Sequence, residues 1–198
     1  MPKPPILATM DWPALFAEGT EYADWLAAGE SPENQAAMES FRQSIPLSKA
    51  VLAFLEAVPR TVRVIAIAED WCGDVVRHVP VLRRLACVTD KLQVRFLFRE
   101  DAPDLFARFL TNGGEAIPKF VFLSEDWTEC GHWGPMPERL KAIIAQGKAC
   151  GDVKTAREHV AKAYEADPGC SEVVHELCAL IDIASSTTAD PAARRWPA

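Results

Sequence analysis

The stretch that most constrains this chain is TVRVIAIA, residues 61–68. It is short, β-branched and almost continuously apolar, the pattern of a central strand covered on both faces. Such a strand needs helices above and below it, and the sequence that follows supplies them. Residues 72–87 place Val75, Val76, Val79, Leu82 and Leu85 at helical spacing. LQVRFLF (92–98) reads as a second strand, and APDLFARFLTNGG as a short helix with Pro103 near its start. PKFVFLSEDWTECGHWG reads as two strands turning at Glu125 and Asp126, an antiparallel hairpin. MPERLKAIIAQG is a helix with Pro137 in its first turn and Gly147 at its stop. Helical connections predict parallel early strands, and the hairpin makes the last two antiparallel. The expected fold is a three-layer α/β sandwich around a mixed sheet of four strands.

Helical sequence flanks this core on both sides. DWPALFAEGTEYADWLAAG reads as a helical stretch ending at Gly29. SPENQAAMESFRQS opens with Ser31 as N-cap and Pro32 at the first helical position, and PLSKAVLAFLEAV has a broad apolar face stopped by Pro59. Beyond the core, GDVKTAREHVAKAYEAD and PGCSEVVHELCALIDIA form a helical hairpin broken at Pro168 and Gly169. Its apolar faces are expected to close on each other and on the α/β core, with a homodimer through these C-terminal helices as the alternative. The resulting division is an N-terminal helical extension over 1–60, the core over 61–148, the hairpin over 149–184 and a disordered tail over 185–198.

The balance of charges and cysteines narrows the function. A net charge of −7 argues against nucleic acid, which demands a surplus of Lys and Arg on one face. No apolar run approaches a membrane span, and the start, MPKPPILATMDWP, lacks the apolar segment of a secretory signal. Cys72, Cys87, Cys130, Cys150, Cys170 and Cys178 are scattered, without a Cys-x-x-Cys pair or zinc-site spacing. The expectation is a cytoplasmic protein with reduced thiols and no bound metal.

AEDWCGDVVRHVP (68–80) carries the chemistry. Cys72 ends a strand-to-helix turn, where unpaired first-turn N–H groups and the helix dipole stabilise a thiolate. Glu69, Asp70 and Asp74 oppose that charge, while Arg77 and His78 offset it; sequence alone leaves the net shift open. His78 reads as a solvated or capping residue rather than a base. Pro80 falls inside the helix, and Pro118 opens a strand, where a missing N–H is tolerated.

Together these residues resemble the thioredoxin superfamily. IAEDWCGDVVRHVP is similar to the family's strand, Trp-Cys-Gly-x-Cys turn and proline-bearing helix, and EAIPKFVFL to its cis-proline strand, with Gly134 matching a glycine late in the hairpin. The helical additions resemble a bacterial thioredoxin-like subgroup carrying AEDWCGDC and TNGG-x-x-IP. The resemblance implies that Cys72 is the attacking cysteine, Trp71 its rim, and Ile117 with Pro118 the backbone ledge for a protein or small-molecule thiol or disulfide. Gly73 joins the candidate binding residues, and so does Trp133, otherwise a packing residue, because it precedes Gly134. The resemblance departs at Val75, where the resolving cysteine belongs, and at Ala66, where many relatives carry a buried aspartate.

A resolving thiol breaks the mixed disulfide from within, at high effective molarity. Without one, release needs an external thiol such as glutathione, so the expected mechanism is monothiol exchange with no bound cofactor. The alternative is a catalytically inactive thioredoxin fold that binds a partner or peptide. Cys87 sits about 22 Å down the same helix, too far to bridge to Cys72.

Overall fold

The computed structural model describes residues 9–196. The outermost parts of the expected N-terminal extension and tail, residues 1–8 and 197–198, lie outside the described residues. Helices α1 (Trp12–Glu18), α2 (Tyr22–Ala28), α3 (Pro32–Ser44) and α4 (Lys49–Glu56) lead into strand β1 (Val62–Ile67). Then follow α5 (Gly73–Ala86), β2 (Leu92–Leu97), α6 (Pro103–Arg108), β3 (Lys119–Leu123), β4 (Glu129–Trp133), α7 (Glu138–Cys150), α8 (Val153–Ala166) and α9 (Ser171–Ala184). The sheet has four strands in the order β2-β1-β3-β4. Helices cover it, giving the expected α/β sandwich.

β1 is central and buried, with Val62, Val64, Ile65, Ala66 and Ile67 all 0% exposed. It pairs parallel with β2, Val62 opposite Leu92, and antiparallel with β3, Ile67 opposite Lys119. The expectation that helix-connected strands run parallel therefore holds for β1 and β2 and fails for β3. α6 has six residues, about 9 Å of helix, against about 20 Å for a strand of β2's length. It does not carry the chain back along the sheet: β3 starts at the edge where β2 ends, with Leu97 and Lys119 both opposite Ile67.

The expected helix over residues 11–29 is two. Thr20 leaves the helix and exchanges backbone hydrogen bonds with Phe96, 2.9 Å each way, extending the sheet beyond β2. A Cβ at Gly19 would lie 2.7 Å from that of Arg95, so the break passes where only glycine fits. Gly147 is likewise not a helix stop. α7 runs on to a left-handed cap at Gly151, while Gly147 is buried against α8, where a Cβ would meet that of Ala156 at 2.5 Å.

The C-terminal helices do not close mainly on each other. α8 packs against α7, whereas α9 lies on β4, β3 and α5. The apolar positions of α9, including Val173, Leu177 and Ile181, are buried within this chain. The tail read as disordered is docked as far as Trp196. The carboxylate of Asp182, 1% exposed, accepts the backbone N–H groups of Arg195 and Trp196 and pairs with the Arg195 guanidinium at 3.0 Å. The Trp196 indole packs 5.0 Å from Phe54 and donates to the His175 carbonyl. Polar composition hid this, because one buried acid and one aromatic seat suffice to hold the segment.

Candidate functional site

Cys72 is the N-cap of α5, at the edge where β1 ends and β3 begins. Its half-buried thiol donates to the Ile117 carbonyl at 3.5 Å, and the Ile117–Pro118 peptide is cis. The structure thus brings together Trp71, Cys72, Gly73, Ile117 and Pro118, segments some 45 residues apart. Trp71 is 52% exposed beside the thiol, whereas Ile117 is 6% exposed and presents mainly its backbone. Val75, one helical turn on, is 0% exposed and part of the core.

Burial pushes the Cys72 thiol above its ordinary pKa. The N–H groups of Val75 and Asp74 and the charge of Arg99 pull the other way, and the carboxylate of Asp74 adds to the rise. The helix start therefore does not make a thiolate at neutral pH; desolvation wins.

Trp133, expected at the groove, lies beneath it. It is 4% exposed, stacked on Phe120 at 5.3 Å, and its indole N–H is spent on Glu176 at 2.6 Å. Its position before Gly134 is real but points inward. Gly134, at φ +115, lets the chain approach the proline: a Cβ there would lie 2.0 Å from the Pro118 carbonyl. His78 is not solvated either. It is 0% exposed, edge-on to Trp133 and Tyr164, with Nδ1 3.0 Å from the Pro135 carbonyl. Burial lowers its pKa to about 3, so it stays neutral.

Three residues of the site were not singled out as site residues by the sequence. Asp70 is 2% exposed and its carboxylate accepts the N–H groups of Glu30 (3.0 Å) and Ser31 (2.7 Å) and the Gln35 amide (3.0 Å). It thereby caps α3 in place of the Ser31 hydroxyl and ties that helix to the turn bearing Cys72. Lys119, 1% exposed, donates to Thr111 Oγ1 at 2.7 Å and to the Gly134 carbonyl at 3.0 Å, and burial lowers its pKa to about 8. Tyr164 of α8 donates its hydroxyl to Asp74 at 2.8 Å. Asp70 and Tyr164 looked ordinary because their partners lie far along the chain, and Lys119 because a lysine's burial has no local signature.

Open clefts flank the thiol's turn. One, of about 460 Å³, has Trp71, Glu30, Glu69, Arg99, Glu100 and Glu115 in its walls. The other, of about 390 Å³, runs past Asp74, Ala116, Pro135 and Ile144 to α8. Among the described residues no group of His, Cys, Asp and Glu side chains could hold a metal, all six cysteines are free, and no helix is long and apolar enough to cross a membrane.

A family profile described as Thioredoxin matches residues 19–156. The chain belongs to the thioredoxin family. A crystal structure of a Pseudomonas aeruginosa protein of unknown function is similar at a TM-score of 0.68 and 22% identity, covering 87% of this chain and 98% of that one. An HIV epitope-scaffold is similar at 0.59 and 22% identity, covering 76% of this chain and 99% of its own. At such identity these likenesses concern the fold alone. No curated protein matches. Val75 and Ala66, where the sequence departs from the pattern it resembles, are both 0% exposed.

Proposed function

We propose that this thioredoxin-family protein forms mixed disulfides through Cys72 and relies on an external thiol to release them. The observation that carries the reading is the Cys72 thiol at the start of α5, 3.5 Å from the carbonyl of the cis Ile117–Pro118 segment, with no second sulfur one turn on. The ionised thiol attacks a disulfide R–S–S–R, forming Cys72–S–S–R and expelling R–S⁻. A second thiolate, such as that of glutathione, then attacks the R sulfur and returns Cys72 as thiolate. The raised thiol pKa makes both halves slow: little thiolate is present at neutral pH, and a basic thiolate leaves reluctantly. Long-lived mixed disulfides are the consequence. The substrate class is a protein or small-molecule disulfide, and the reading includes kinship with the bacterial Trp-Cys-Gly-Asp subgroup and a cytoplasmic setting that keeps thiols reduced.

Incubation with oxidised glutathione followed by peptide mass spectrometry tests it. A native-state adduct at Cys72, absent in Cys72→Ser, is expected; no adduct at Cys72 sinks the proposal. The second reading, a binding module without redox turnover, is favoured by the raised thiol and by Trp71 standing 52% exposed beside a cleft. It predicts that Trp71→Ala abolishes capture of the physiological partner while Cys72→Ala leaves it intact.

A further inference from the structure

Cys72 is flanked by two aspartates, and the second is held by a helix outside the core. Tyr164 of α8 donates to Asp74 Oδ1 at 2.8 Å across 90 residues of sequence. Tyr164 is itself clamped. The Arg77 guanidinium lies 4.4 Å over its ring and donates to the carbonyls of Tyr164 (3.0 Å) and Asp167 (2.6 Å). Asp167 in turn caps α9 through the N–H groups of Ser171 and Glu172. The corner between α8 and α9 is therefore locked onto the first turns of α5.

That lock bears on the thiol. Cys72 is the N-cap of α5, where the first-turn N–H groups of Asp74 and Val75 favour its charged form. A carboxylate in a helix's first turn competes for those same donors when it is free to turn towards them. The phenol instead holds the Asp74 side chain on the α8 side, at the wall of the cleft containing Pro135 and Ile144.

We infer that Tyr164 is a positioning residue for Cys72, keeping the Asp74 carboxylate off the N–H groups that the thiolate uses. The inference rests on the monothiol reading for its purpose, but its test needs only a thiol. The charged and titratable groups around Asp74 are Cys72, Arg77 and His78 of its own helix, Tyr164 and Arg157 of α8, and Lys141 and Lys148 of α7 across the cleft. Arg99 and Glu69 complete the set near the thiol.

The experiment is the rate of iodoacetamide alkylation at Cys72 against pH, read by peptide mass spectrometry in the full chain. Asp74→Asn is expected to alkylate about three- to tenfold faster at neutral pH, since it removes a nearby like charge. Tyr164→Phe is expected to alkylate slower, with its midpoint moved up. Tyr164→Phe in the Asp74→Asn background is expected to have no further effect, because the carboxylate through which it acts is gone. Equal shifts in both backgrounds, or no shift from Tyr164→Phe in a variant whose circular dichroism matches the parent, overturns the inference. Failure of glutathione exchange with this coupling intact would instead count against the monothiol reading alone.

Discussion

Asp70 and Asp74 stand two residues either side of Cys72, and each fastens helices from outside the core to the turn that carries the thiol. Their surroundings differ in one respect. Burial works to raise both carboxyl pKa values, but Asp70 meets N–H donors from Ser31, Gln35 and Glu30 that more than offset it, and its pKa falls below the ordinary range. Asp74 meets one phenol and the charge of Arg77, which do not offset burial, and its pKa rises. The N-terminal attachment is thus a charge satisfied by its partners, and the C-terminal one a charge under tension. The first is suited to holding the turn in place and the second to influencing what the turn does.

The comparison can be broken most directly at Asp70. Asp70→Ala leaves buried N–H groups without an acceptor and should cost about 3 kcal/mol, a fall in Tm of roughly 6–12 °C in a chain of this length. A Tm within about 2 °C of the parent would show that α3 is not fastened there. Gly29→Ala attacks the same latch from the other side, because a Cβ at Gly29 would lie 2.3 Å from the Asp70 carboxylate. It should cost about 2 kcal/mol in urea unfolding, although Gly29 has ordinary backbone angles that suit alanine.

Tyr164→Phe removes one hydrogen bond at a half-buried carboxylate and should cost about 1 kcal/mol. A loss as large as that of Asp70→Ala would erase the distinction between the two attachments. The smallest effect is in the pH dependence. Asp70, lowered in the fold, contributes stability that is present above its unfolded pKa and lost as pH falls through the folded value. Asp74, raised in the fold, does the reverse: the folded chain holds its proton longer, so stability falls as pH rises from the unfolded to the folded value. Stability measured from acid to neutral pH should therefore gain a steeper rise in Asp74→Asn and a shallower one in Asp70→Asn.

Much of the fold could be read along the chain. The β-branched run of β1 and the heptad-like spacing of α5 are local signals, and so is the placement of Cys72 between them. The direction of β3 was not local, because it depends on which edge of the sheet the chain re-enters after α6. The inward turn of Trp133 and the neutral burial of His78 were equally hidden. An aromatic or imidazole side chain has the same sequence signature whether it faces a groove or fills the layer beneath it. The docked tail depended on Asp182, whose partners lie about a dozen residues on and whose burial composition does not announce.

The sequence by itself determined that a single thiol sits at a strand-to-helix turn and that a valine, not a second cysteine, stands three residues on, since both follow from adjacent residues. Whether that thiol is poised or muted was decided only by the tertiary structure. The groups that govern it are supplied from far along the chain: the Ile117 carbonyl 45 residues away, the donors to Asp70 some 40 residues before it, and the Tyr164 phenol 90 residues after Asp74. Ionisation responds to which charges and hydrogen bonds surround a group in space, and in this chain those neighbours are brought together by packing alone.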